Sequence, residues 1–157
     1  MIFVTLGTQD KQFNRLLDAV LKLNTNEQII IQAGTTRFPS DYKDNIKIYK
    51  FISKNDFDEY MKKASCIITH AGVGTIMLGL KYHKKMIVAA RLKKYKEHEN
   101  DHQLQIQETF EKQGYILALK DFEDLEKLIK KEFTPKEFIT NNNNFNEKLY
   151  NKIYLGK

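Results

Sequence analysis

A single cysteine, Cys66, stands among 157 residues. One cysteine excludes an intramolecular disulfide and suits a reducing compartment such as the cytosol. It sits in an apolar run, so it reads as a core residue. No run reaches the roughly 18 apolar residues that a membrane-spanning helix needs. Met1-Ile2-Phe3-Val4 opens as a strand with no basic n-region, so no signal peptide is expected. Prolines number two, and neither interrupts a periodic segment: Pro39 lies in the loop-like stretch Arg37 to Asn45, and Pro135 marks a break in the pattern. A Gly-x-Ser-x-Gly elbow is missing, which with a buried Cys66 sets nucleophilic catalysis aside. Internal repeats are absent. Aromatic and basic residues do not interleave as nucleic-acid stacking platforms require, so nucleic acid is the most distant reading of the charge.

What is present suits one soluble globular domain: 41% hydrophobic and 29% charged residues in a length able to bury a core. The net charge of +6 gathers at Lys81, Lys84 and Lys85 and at Arg91, Lys93, Lys94 and Lys96. Such lysines form either a solvated surface or a face toward anionic lipid or a charged ligand. Strand patterns at Ile2 to Leu6, Gln28 to Ala33, Ile46 to Phe51, Ile67 to Thr69, Met86 to Ala90 and Tyr115 to Leu119 alternate with helical ones. The helices are expected around Phe13 to Leu23, then over Asp56 to Ala64, Thr75 to Tyr82, Asp101 to Gln113 (ended by Gly114) and Phe122 to Lys131. Alternation of this kind predicts an α/β fold with a doubly wound, Rossmann-like parallel sheet. Ligands in such sheets sit at the carboxyl ends of strands, where Gly7-Thr8, Gly34, Phe51-Ile52, His70 to Thr75 and Arg91 all fall. Beyond Phe133, Thr134-Pro135 breaks the pattern and Asn141 to Asn144 is polar. Phe145, Leu149 and Ile153 then recur at i, i+4, i+8. The chain thus divides into a domain over residues 1–133 and a helical tail over 134–157, packed on the domain or on a partner.

The organising stretch is Cys66 to Leu80: a short apolar run, then Thr69, His70, Gly72, Gly74 and an apolar-periodic segment from Thr75. A strand, a glycine turn and a helix start leave unpaired N–H groups and a partial positive charge where an anion can approach the backbone. A turn without a ligand fits equally, and His70 also reads as a histidine hydrogen-bonded at a strand end. Gly72-Val73-Gly74 begins like a dinucleotide fingerprint, but Met77 occupies the third glycine position and Gly79 comes two residues late. His98-Glu99-Asn100-Asp101-His102 has the formal zinc-peptidase spacing. Asn100 and Asp101 are poor helix-interior residues and a loop precedes them, so no metal site is expected.

Three spaced segments carry a family resemblance: Thr69-His70-Ala71-Gly72-Val73-Gly74-Thr75, Val88-Ala89-Ala90-Arg91 and His98-Glu99-Asn100-Asp101-His102-Gln103. Together with the opening Met1 to Thr8, they resemble the C-terminal domain of family 28 glycosyltransferases, over Met1 to about Lys131. More narrowly, they look like the small donor-binding subunits of two-subunit enzymes. Examples serve bacterial capsule and exopolysaccharide synthesis; another is the donor subunit of the dolichol-pathway N-acetylglucosaminyltransferase. The resemblance implies the C-terminal half of a GT-B enzyme that takes a UDP-sugar and needs no other cofactor. Gly7 and Thr8 would line the diphosphate side of the cleft. Phe51 and Ile52 would offer backbone groups to uracil. His70, Gly72, Gly74 and Thr75 would hold the phosphates, with Arg91 assisting bidentately. Asp101, His102 and Gln103 would face the sugar hydroxyls.

Two departures stand out. Leu78 occupies a position where many relatives carry an acid for the ribose, and Ala90 replaces the usual proline before the arginine. The resemblance also implies a missing half. The acceptor site and general base would lie on a membrane-associated partner that handles a lipid-linked saccharide. This chain would then be cytoplasmic, held at the inner face of the membrane through that partner. A non-catalytic enhancer that stabilises such a partner is the alternative.

Overall fold

The computed structural model describes residues 1–138. Six strands, β1 (Ile2–Thr5), β2 (Ile29–Gln32), β3 (Ile46–Tyr49), β4 (Cys66–His70), β5 (Met86–Ala89) and β6 (Leu117–Ala118), form one parallel sheet in the order β3-β2-β1-β4-β5-β6. The chain builds outward from β1 through β2 to β3, then returns to the other side of β1 to lay down β4. This reversal leaves a crevice at the carboxyl ends of β1 and β4. Helices α1 (Asn14–Leu21) and α5 (Leu125–Lys130) cover one face, packing with Ile2, Val4, Ile29 and Ile31. Helices α2 (Lys54–Lys63), α3 (Val73–Lys81) and α4 (His102–Lys112) cover the other, around Phe3, Ile30, Ile67 and Val88. Inner strands are buried on both faces, which is why their sequences are apolar runs rather than alternations. Edge strand β3 does alternate: Ile46 is buried, while Lys47 and Tyr49 are exposed.

Several boundaries differ from the sequence expectation for local reasons. Helix α2 begins at Lys54 because Ser53 caps it, its hydroxyl accepting from the Asp56 N–H at 3.1 Å. Helix α3 begins at Val73, with Gly72 as its cap residue, so both glycines of the turn belong to the helix start. The expected helix from Phe122 divides into a 3-10 turn (Phe122–Asp124) and α5, the turn being capped by the Asp121 carboxylate on the Glu123 N–H. The sixth strand shrinks to Leu117–Ala118. Beyond it the buried Gln107 amide donates to the Val88 and Leu119 carbonyls at 2.7 and 3.3 Å, standing in for a strand neighbour.

Two lysines of the expected cationic face have other employment. The Lys84 ammonium donates to the Lys62 and Ala64 carbonyls, and Lys85 to those of Ile129 and Lys131. They cap the carboxyl ends of α2 and α5, where unpaired carbonyls and the helix dipole favour a cation. Lys81, Lys93, Lys94 and Lys96 remain exposed. After α5 the chain still touches the domain: the Lys136 N–H donates to the Gly114 carbonyl at 3.1 Å, and Phe138 meets Tyr115 edge-on with ring centroids 5.4 Å apart. The tract Asn141 to Asn144 and the stripe Phe145, Leu149 and Ile153 lie outside the described residues. Among the described residues, no helix is long and apolar enough to cross a membrane.

Candidate functional site

His70 ends β4 inside the crevice and is only 8% exposed. Its imidazole lies between two glycine turns. A Cβ built on Gly7 or on Gly72 would sit 2.8 Å from His70 Nε2. Gly7 also has φ +89°, a conformation that L side chains rarely adopt, so this turn requires glycine twice over. Burial, reinforced by the positive potential of Arg91, pushes the His70 pKa down to about 4, so the ring is neutral near pH 7. On its other edge, Gln103 Nε2 lies 3.2 Å from His70 Nδ1. The Gln103 carbonyl oxygen accepts from the Ala71 N–H at 3.2 Å and the Arg91 N–H at 3.0 Å. One buried amide therefore ties together the ends of β4 and β5 and the first turn of α4.

Helix α3 points its amino end into the same crevice. Its first intrahelical bond runs from the Ile76 N–H to the Gly72 carbonyl at 3.1 Å, so the Val73, Gly74 and Thr75 amides precede the ladder. No side chain caps this end, and no acid stands in its first turn. The combination favours an anion electrostatically and leaves donors for it. A Cβ on Gly74 would meet nothing within 4 Å, so the helix start is open on that side. Thr8 and Gly74 are exposed and Thr75 is half-buried, so these residues border the crevice with Gly7, His70 and Gly72.

Three expectations need correction. Arg91 is fully buried. Its Nη1 donates to the Lys11 carbonyl at 2.9 Å and the Glu97 carbonyl at 3.1 Å, and its Nη2 to that of Leu6. The guanidinium thereby braces the β1–α1 loop against the β5–α4 segment instead of offering a free bidentate edge to phosphate. Gln103, expected on sugar hydroxyls, is 3% exposed with its amide committed as described above. The Ile52 N–H, expected to be available to uracil, donates to Gln32 Oε1 at 3.0 Å; Gln32 in turn donates to Thr5 Oγ1 at 3.2 Å. Phe51 does project, 58% exposed, and lines two grooves at the ends of β2 and β3. One, of about 550 Å³, runs along Gly34 to Phe38 and Lys50; the other, of about 160 Å³, includes Ser53, Asp56 and Tyr60. Asp101 and His102 are exposed at the start of α4, and Asp101 accepts the Lys93 N–H at 2.9 Å. His98 lies in the preceding segment and His102 in α4, so the two share no helix.

Residues that the sequence did not single out hold the β5–α4 segment. Glu97 is 2% exposed and receives both Arg15 Nε at 2.7 Å and Arg15 Nη2 at 2.6 Å, while its Oε1 also accepts the Leu92 N–H at 3.0 Å. The Arg15 guanidinium also lies against Tyr95 and Phe122, 4.1 and 4.5 Å from their ring centroids. A bidentate pair whose guanidinium also meets two aromatic rings is a strong anchor. A separate hollow of about 330 Å³ between α1 and α5 shares none of the glycine turns or the α3 amino end, and is no part of this site.

The model of the glycosyltransferase family 28 C-terminal domain matches residues 1–153. Among solved structures, the glycotransferase of kitacinnamycin is similar, with TM-score 0.64 and 15% identity over 94% of this chain. This chain spans 36% of that protein. The solution structure of ALG13 is also similar, with TM-score 0.61 and 21% identity, covering 98% of this chain and 96% of ALG13. At these identities the likeness is one of fold: a Rossmann-like sheet of the kind that forms the C-terminal half of GT-B glycosyltransferases. No curated protein sequence matches.

Proposed function

This chain belongs to the glycosyltransferase family 28 C-terminal domain family, and from that premise we propose that it is the UDP-sugar-binding subunit of a two-subunit glycosyltransferase. The observation that carries the proposal is the uncapped amino end of α3, meeting a neutral His70 at the point where the sheet reverses. A diphosphate leaving group develops negative charge as the sugar departs. Fixed N–H donors at a helix start stabilise that charge without reorganising. The reading calls on no metal or further cofactor, since the α3 amides supply the positive potential. Phe51 and the groove of about 550 Å³ beside it would receive the nucleoside end. Asp101 and His102, exposed at the start of α4, would face the sugar. Leu78 is half-buried and packs into the core, so ribose recognition falls to other residues.

The resemblance extends the proposal to the other half of the reaction. A partner at the inner face of the membrane would supply the lipid-linked acceptor and the general base. The transferred hexose would enter polysaccharide synthesis such as that of capsule or exopolysaccharide. The site is tested by the unfolding temperature of the chain with UDP and a panel of UDP-sugars, since a ligand that binds only the folded state raises it. We expect UDP to raise it, and Gly74→Val to abolish that rise while leaving a folded protein, because a Cβ there meets nothing within 4 Å and the branched side chain covers the open helix start. Unchanged UDP affinity in Gly74→Val overturns the phosphate site. Absence of any UDP effect at millimolar concentration favours the enhancer that binds no donor.

A further inference from the structure

We propose that Gln103 is a positioning residue that fixes His70 in its Nε2–H form, so that the ring offers a hydrogen-bond donor to the crevice. The Gln103 carbonyl oxygen receives two backbone N–H groups, from Ala71 and Arg91. Those groups can only donate, so the amide cannot be turned around. Its NH₂ group therefore faces His70 Nδ1, 3.2 Å away. An amide NH₂ can only donate, and Nδ1 must accept. A neutral imidazole carries one proton, which is left to Nε2. That nitrogen lies between the Gly7 and Gly72 turns and finds no acceptor among the described residues. A free imidazole would exchange its proton between the two nitrogens and present a lone pair much of the time. Here the donor is permanent. That a diphosphate is its acceptor rests on the proposed function; the assignment of the proton does not.

Gln103→Glu tests this with almost no change of shape. A carboxylate still accepts from Ala71 and Arg91, but it cannot donate to Nδ1, so the His70 proton must move to Nδ1. The charged or titratable groups that act on His70 are Arg91 and His98, both from the segment between β5 and α4; the variant keeps both and adds a carboxylate beside Nδ1, which raises the pKa of its ring. The full chain, labelled with nitrogen-15 and free of ligand, is read by long-range proton–nitrogen correlation of the imidazole. The wild type should show a protonated Nε2 and a bare Nδ1 between about pH 5.5 and 8, and Gln103→Glu a protonated Nδ1. A wild-type ring protonated on Nδ1, a mixture of forms, or a variant spectrum like the wild type overturns the proposal. Should the variant not fold, the wild-type spectrum decides alone.

UDP affinity supplies the second readout, taken as the ratio of variant to wild type at each pH so that titration of the nucleotide cancels. At pH near 8 the variant should bind about tenfold more weakly or worse, and the ratio should recover as pH falls and the ring becomes an imidazolium with both nitrogens protonated. The added negative charge alone would weaken binding equally at every pH where the introduced carboxylate stays ionised, so a ratio that is flat from pH 8 down to about 5.5 overturns the donor role. If neither protein binds UDP while the spectra are as expected, the UDP reading fails and the proton assignment stands.

Discussion

His70 is a buried base whose protonation the fold opposes. Its pKa is about 4 in the folded chain against an ordinary 6.5. Between those values the unfolded chain binds more protons, so stability is fully present above pH 6.5 and is lost as pH falls toward 4. The loss from this one group by about pH 4.5 is on the order of 2 kcal/mol. We expect urea unfolding to show that His70→Asn loses correspondingly less stability over the same range; equal losses would mean that His70 is not the buried neutral base described. Gly72→Ala should displace the imidazole, because the new Cβ overlaps the ring, and UDP binding should fall with the fold retained. Residue identities at the strand ends were legible from glycine and histidine placed after apolar runs. Hydrogen-bond commitments were not. Whether Gln103 faces a ligand or a neighbouring histidine depends on contacts 33 positions apart, and Arg91 is consumed by carbonyls up to 85 positions away. No local pattern encodes such distances.

Among elements, the segment between β5 and α4 shows how a polar loop is held. It is fastened by Arg15 of α1 through Glu97 and by the Arg91 brace. Glu97→Ala would leave Arg15 without its carboxylate and the Leu92 N–H without its acceptor. The expected cost is about 3 kcal/mol in denaturant unfolding. A cost below about 1 kcal/mol, the value of an exposed pair, would show that the segment is held by other means. Helix α3 lies close to the sheet because Gly79 leaves room for Met86, whose sulfur a Cβ there would overlap. Gly79→Ala should cost about 1–3 kcal/mol in the wild type and clearly less in a Met86→Ala background; equal costs in both would rule out the contact. Gly79 thus does the helix–sheet packing that the fingerprint assigns to a third glycine, from a different position. The elements were largely legible because buried parallel strands are apolar runs and helices repeat their apolar residues. Their ends depended on caps such as Ser53 and Asp121, and the short β6 on Gln107, a side chain with no periodic signature.

At the scale of the whole molecule, the chain matches one half of a two-domain fold, spanning 36% of the kitacinnamycin glycotransferase and 96% of ALG13. If the proposed function holds, the isolated chain binds donor but transfers almost no sugar, and addition of the proposed membrane-associated partner restores transfer. Radiolabel incorporation into lipid-linked product measures this, and full transfer by the chain alone would refute the division of labour. Cys66 gives the same molecule a clock. Its thiol is 4% exposed, and burial pushes its pKa up to about 11. A reagent that attacks thiolates has to wait for β4 to leave the sheet. Labelling of this one sulfur, followed by mass, would then time how often the sheet opens, without any engineered probe. A ligand seated at the far end of the same strand should slow that clock in proportion to the stability it adds.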